Sequence, residues 1–148
     1  MSIFRIALFS LIFAASSAFA AEGLVRVQSS HDVSDTAERL VDALEAAGMT
    51  VFDRINHAEG ARNAGLDLRP TELVIFGNPM IGTQLMHCSQ SIAVDLPQKM
   101  LIWEDADGSV WLGYNDPAWL AERHGATGCE EVLGKIAGAL ENFANAAK

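Results

Sequence analysis

Apolar and polar residues alternate from Gly23 to Gln28, with Leu24, Arg26 and Gln28 on one side and Val25 and Val27 on the other. That two-residue period predicts a strand. The period then lengthens. Val33, Ala37, Leu40, Val41 and Leu44 fall on one helical face, Asp32 stands where a cap belongs with Asp35 behind it, and Gly48 marks the stop. Residues 49–55 (MTVFDRI) alternate again and predict a second strand. Residues 56–65 predict a short helix or a loop. Glu72–Phe76 (ELVIF) is a compact apolar strand closed by Gly77-Asn78-Pro79. A short helix is expected from Gly82 or Thr83 to Ser89, and an extended or looped stretch over residues 91–98, broken by Pro97.

The next segment reads as a hairpin. Residues 99–104 (KMLIWE) and 109–114 (SVWLGY) flank a turn whose Asp107-Gly108 pair suits a tight reversal. Asp116 and Pro117 then open a helix as cap and first position, with Gly125 past its end. Thr127-x-x-Glu130 fits a capping box for a last helix striped by Val132, Leu133, Ile136, Leu140 and Phe143. About five strands and four helices, with a hairpin and a mixed order, predict an α+β fold. Its form is two layers, a largely antiparallel sheet with helices on one face. Trp103, Trp111 and Trp119 fall in or just after the hairpin and read as core anchors or pocket walls.

The first twenty residues change the picture of where the chain works. Arg5 precedes an apolar run from Ile6 to Ala15, and Ala18-Phe19-Ala20 forms a small-residue end. This pattern predicts a secretory signal peptide over residues 1–20, too short for a membrane span, and a single domain over 21–148 that is periplasmic or secreted. The whole chain has net charge −9, and cleavage after Ala20 removes Arg5 and leaves −10. A balance this acidic disfavours nucleic acid and, after cleavage, an anionic membrane as partners. Four prolines and twelve glycines are too few for disorder, and no repeat is visible.

Only two cysteines are present. Cys88 shares a helical face with Ile81, Leu85 and Ile92, and Cys129 one with Leu133, Ile136 and Leu140. Two core-facing cysteines in an exported chain point to a Cys88–Cys129 disulfide. Two rivals stay open. Cys129 near a helix start could be a redox thiol, although no C-x-x-C is present. Met80, Met86, His87 and Cys88 could bind copper, but their spacing matches no regular site, and His87 and Cys88 point about 100° apart on a helix. No metal site is expected.

Several blocks resemble the domain of unknown function 302 family: Asp53-Arg54-Ile55-Asn56-His57-Ala58 with Gly60-Ala61, Leu68-Arg69-Pro70-Thr71-Glu72-Leu73, Phe76-Gly77-Asn78-Pro79, Gly82-Thr83 with Leu85-Met86, Asp95-Leu96-Pro97, Trp103-Glu104-Asp105, and Tyr114-Asn115-Asp116-Pro117 with Leu120 and His124. They run in order along nearly the whole mature chain. Asn56 departs from the family, whose members often have Asp before the histidine. The paired cysteines look like a feature of exported members. The resemblance implies a small α+β domain that often forms dimers, and it implies no activity or cofactor.

Polar residues gather at element ends, where sites usually sit. The candidate ligand-binding set is His57, Arg69, Asn78, Thr83, Met86, Asn115 and His124. In one arrangement Arg69 holds an anionic group, Thr83 and its helix start offer N–H groups, and His57 and His124 serve as acid, base or ligand beside a wall of Met86 and aromatics. Simpler roles compete. Arg69 could pair with Glu72, Asn78 could serve its turn, and His124 could suit a helix C-terminus. His57 has no local structural role. No G-x-S-x-G, H-E-x-x-H, P-loop or C-x-x-C-H occurs. The leading expectation is a periplasmic binding module for a small anionic or metal-associated ligand. The alternatives are a small hydrolytic or acid–base enzyme using His57 with Arg69, and a dimeric partner-binding domain without a chemical site.

Overall fold

The computed structural model describes residues 21–148, so the expected signal peptide lies outside the described residues. The elements run β1 (Leu24–Ser29), α1 (Val33–Ala46), β2 (Thr50–Asn56), α2 (His57–Asn63), β3 (Thr71–Gly77), α3 (Pro79–Cys88), a 3-10 turn (Gln90–Val94), β4 (Gln98–Glu104), β5 (Val110–Asn115), α4 (Pro117–Arg123) and α5 (Glu130–Ala147). The five strands form one antiparallel sheet in the order β1-β5-β4-β3-β2. The fold is α+β, as the hairpin and the mixed order of elements predicted. β1 and β2 are the two edges, so α1 must cross the whole sheet to join them.

Local chemistry sets most boundaries. Asp32 accepts the Asp35 N–H at 2.8 Å and starts α1. Asp116 accepts from Ala118 N at 2.8 Å, with Pro117 opening α4. Gly108 takes φ +82 in the hairpin turn, a conformation that glycine adopts without a Cβ clash. Two boundaries depart from expectation. α3 begins at Pro79, three or four residues early, because Asn78 turns its side chain onto Met80 N (2.9 Å) and caps the helix itself. α5 begins after Cys129, and Glu130 accepts from Gly128 N at 3.2 Å, so the Thr127 capping box does not form.

α1 and α5 pack together and cover one face of the sheet. Leu40 and Leu44 of α1 and Leu140 of α5 meet Val74, Phe76, Met100, Ile102 and Leu112, all at or below 1 % exposure. Val132, Ile136, Leu140, Phe143, Ala144 and Ala147 are the buried stripe of α5, close to the stripe read from its spacing. Trp119 packs against the core as expected, whereas Trp103 and Trp111 belong neither to the core nor to the cleft wall. Trp103 and Trp111 are cross-strand partners on the opposite face, half-buried, with the Arg26 guanidinium 5.1 and 4.3 Å from their ring centres. Arg26 also reaches Asp105 at 3.1 Å. Gly113 makes room for that layer: a Cβ there would stand 2.9 Å from the Trp103 ring. Trp119 is half-buried, with Arg123 stacked at 5.5 Å.

Candidate functional site

The candidate residues are not gathered at one place, because strand register separates them. Asn56 pairs with Glu72, while Thr50 pairs with Gly77 at the other end of the same two strands. A seven-residue strand is about 20 Å long. His57 and Arg69 therefore lie at one end of β2 and β3, and Asn78, Thr83 and Met86 at the other. His57 opens α2, exposed, and hydrogen-bonds through its ring to no side chain among the described residues. Arg69 is exposed and donates from Nε to the Glu104 carbonyl at 3.0 Å. Glu72 pairs with Arg54, not Arg69: Arg54 Nε lies 2.6 Å from Glu72 Oε1, which leaves the buried carboxylate compensated. Asn115 ends β5, two strands from β3.

The opposite end of β3 carries a cleft. Its volume is about 480 Å³, a usual size for a small-molecule site. α3 forms one wall through Ile81, Gly82, Leu85 and Met86. α5 forms the facing wall through Ile136, Ala139, Leu140 and Phe143. The floor comes from Met49 and from Phe52 and Phe76, and Leu96 and Pro97 close the side. Phe76 and Phe143 meet edge-to-face, 6.1 Å between centres, and fix the floor against the α5 wall. Of the seven candidates, only Asn78, Thr83 and Met86 line this cleft, and Asn78 is already committed to capping α3.

Two polar groups stand out among these apolar walls. Gln98 pairs with Phe76 across β3 and β4, which turns it to the cleft side of the sheet. Its Nε2 is buried and has no hydrogen-bond partner among the described residues. A buried donor left unmade costs about 1–3 kcal/mol, so this nitrogen favours an acceptor from outside the chain. Lys135 stands at the edge, exposed, with Nζ 2.6 Å from Glu131. Gln98 was missed in the sequence because Pro97 reads as a break. The usable signal was a glutamine at a core-side position of the strand that follows.

Cys88, half-buried, and Cys129, buried, form a disulfide with Cα atoms 6.3 Å apart. The bond ties the last residue of α3 to the cap of α5, and so joins the two walls of the cleft at one end. Among the described residues no group of three His, Cys, Asp or Glu side chains could hold a metal ion.

His124 belongs to a different cluster. It follows the last residue of α4, and its ring is only 8 % exposed. Nε2 lies 2.6 Å from Asp95 Oδ2 and Nδ1 lies 3.0 Å from Ser91 Oγ. Arg123 Nη1 takes the other Asp95 oxygen at 3.2 Å, and Lys99 Nζ donates to the Asp95 carbonyl at 2.8 Å. Ser89 Oγ donates to the His124 carbonyl at 2.9 Å and lies 3.1 Å from Ser91 Oγ. Burial holds Lys99 below the usual lysine range, with Asp95 opposing the shift.

Fold and cleft together define a small α+β domain with an open antiparallel sheet and an apolar cleft. The chain belongs to the family described as "Domain of unknown function DUF302", whose model matches residues 25–143. It is similar in fold to an uncharacterized conserved protein of that family from Bacillus stearothermophilus. The TM-score is 0.77 and the identity 21 %, covering 86 % of this chain and all of the other. It is also 55 % identical over 102 residues to proteins named "Fluoride-specific ion channel FluC 1" in Brucella suis and Brucella abortus. The match takes in 69 % of this chain but only 40 % and 38 % of those relatives, so most of their length has no counterpart here. No helix among the described residues is long and apolar enough to cross a membrane.

Proposed function

We propose that this chain is a periplasmic binding module whose cleft takes a small, largely apolar molecule carrying one hydrogen-bond acceptor. A medium-chain carboxylate is the simplest example. The observation that carries this reading is Gln98 Nε2, a buried donor without a partner among the described residues, in an otherwise apolar wall. An apolar body would displace water from Phe52, Phe76, Ile136 and Phe143, and an acceptor oxygen would satisfy Gln98. Lys135 at the edge favours a ligand with a negative end. This keeps the anionic character expected from the sequence and moves it away from His57 and Arg69. The leader-like residues 1–20 and the disulfide support an oxidising compartment outside the cytoplasm.

A second reading rests on the channel-named relatives. Their match to this chain stops well short of their full length. A domain carried beside a membrane protein suits a role at the envelope, as a partner or as a sensor for it. The two readings are compatible, since a sensor needs a ligand site.

The test is titration with 1-anilinonaphthalene-8-sulfonate followed by displacement with decanoate. Gly82→Leu would fill the cleft from α3, where an added Cβ meets nothing closer than Leu96 at 3.9 Å. Saturable binding, displaced by decanoate and weakened at least about tenfold by Gly82→Leu, is the expected result. Equal binding by both proteins would reject the cleft as the site.

A further inference from the structure

The cleft does not use Ser91, His124 and Asp95. We propose that these three form a separate nucleophilic site, an acyl-transfer relay that hydrolyses small carboxylic esters or thioesters with Ser91 as the attacking hydroxyl.

The hydrogen bonds define the roles. Asp95 Oδ2 at 2.6 Å can only accept when ionised, so the ring proton of a neutral His124 belongs on Nε2. Nδ1 is then a bare lone pair, and it faces Ser91 Oγ at 3.0 Å, within the range for a nucleophile and its base. Ser89 spends its own proton on the His124 carbonyl, so it can only accept from Ser91. The Ser91 proton therefore has two acceptors and no competing donor among them. Relative to the familiar serine hydrolase arrangement the two ring nitrogens have exchanged places. The chemistry needs one nitrogen on a carboxylate and the other on the hydroxyl, and both conditions hold.

Burial matches the same division. The His124 ring is 8 % exposed and the Asp95 side chain 16 %, whereas Ser91 is exposed. A sheltered base thus stands behind an accessible nucleophile. Arg123 occupies the remaining Asp95 oxygen and holds the carboxylate in place. Among the described residues Asp95 and Arg123 are the charged groups that meet His124 or its partner directly, and Lys99 donates to the Asp95 and Pro97 carbonyls and not to the carboxylate.

The step balances without a further reactant. Ser91 Oγ bonds to the acyl carbon as its proton passes to His124 Nδ1. The bond from that carbon to the leaving oxygen or sulfur breaks, and the alcohol or thiol departs with the proton. Water, deprotonated by the same nitrogen, then attacks the acyl-serine ester, which releases the carboxylic acid and restores the Ser91 hydroxyl.

The experiment exposes the full chain to a fluorophosphonate, locates the adduct by peptide mass mapping, and measures p-nitrophenyl acetate hydrolysis in parallel. The expected result is one adduct on Ser91 with loss of fluoride. Ser91→Ala, an exposed change that keeps the fold by circular dichroism, abolishes the adduct and the turnover. His124→Gln slows labelling about 100-fold or more. Asp95→Asn slows it as well, without moving the adduct. Absence of a Ser91 adduct on folded wild-type protein would overturn the proposal, as would equal labelling rates in wild type and His124→Gln. Either outcome leaves the three residues as a clasp between α4 and the 3-10 turn.

Discussion

Cys88 ends α3 and Cys129 caps α5, and the bond between them joins the two helices that wall the cleft. α3 rests mainly on the 3-10 turn and on α5, with Leu85 reaching the core, so the crosslink adds to what holds this wall. The sequence separation of 41 residues corresponds, in the chain-entropy view, to about 4 kcal/mol. The Cys88→Ser/Cys129→Ser double variant is therefore expected to lose about 2–4 kcal/mol by urea denaturation and to bind the naphthalene probe more weakly. Unchanged binding in the reduced protein would mean that α3 keeps its place without the bond.

Gln98 and Phe76 sit side by side on β4 and β3, and Gln98 brings to this apolar surface a buried donor without a partner among the described residues. Gln98→Leu removes the orphan donor at nearly constant volume. The unliganded protein should become more stable by about 1 kcal/mol, while decanoate binds more weakly and a plain hydrocarbon probe binds at least as well. Paired thermal shifts with and without ligand check both signs. A loss of stability together with unchanged decanoate affinity would show that Gln98 serves the fold.

His57→Ala and Arg69→Ala test the arrangement that the sequence first suggested. Both side chains are exposed and lie at the far end of β2 and β3 from the cleft. Each variant should stay within about 0.5 kcal/mol of wild-type stability and bind the cleft probe normally. A marked loss of binding in either would return the site to that end of the sheet.

Tyr114 gives a prediction in alkali. Burial raises its phenol above the usual tyrosine range, and the nearby carboxylates of Glu141 and Asp116 add to the shift. A raised folded value means that the unfolded chain releases its proton first. The stability from this group is then complete below pH 10 and declines as pH rises through its folded value. Tyr114→Phe should flatten that decline above pH 10. Lys99, held low by burial, works with the opposite sign, so the comparison is wild type against Tyr114→Phe at each pH.

The sequence was most legible where a local signal sets an element. Asp32 before α1, Asp116-Pro117 before α4 and Asp107-Gly108 in the hairpin act over a few residues, and each stands where it was expected. Asn78-Pro79 was read as the end of a strand, although the same pair also suits the cap and first position of a helix. The register shift between Val51 and Asp53 breaks the alternation of β2, so Phe52 reaches the cleft against the simple pattern. The cleft itself needs β2, β3, β4, α3 and α5 together, and no spacing along the chain encodes that meeting. His124 was singled out, but its partners Ser91 and Asp95 lie 33 and 29 residues away and become visible only in three dimensions.

We propose the cleft between α3 and α5 as the ligand site. The most direct measurement is a methyl NMR titration of the mature protein with decanoate, following Met49, Met86, Ile81, Ile136 and Leu140 against Ile55, Leu66 and Leu68 far from the cleft. Binding in the cleft gives saturable shifts in the first group, no shifts in the second, and their loss in Gly82→Leu. Shifts spread over both groups, or none at saturating decanoate, would contradict it.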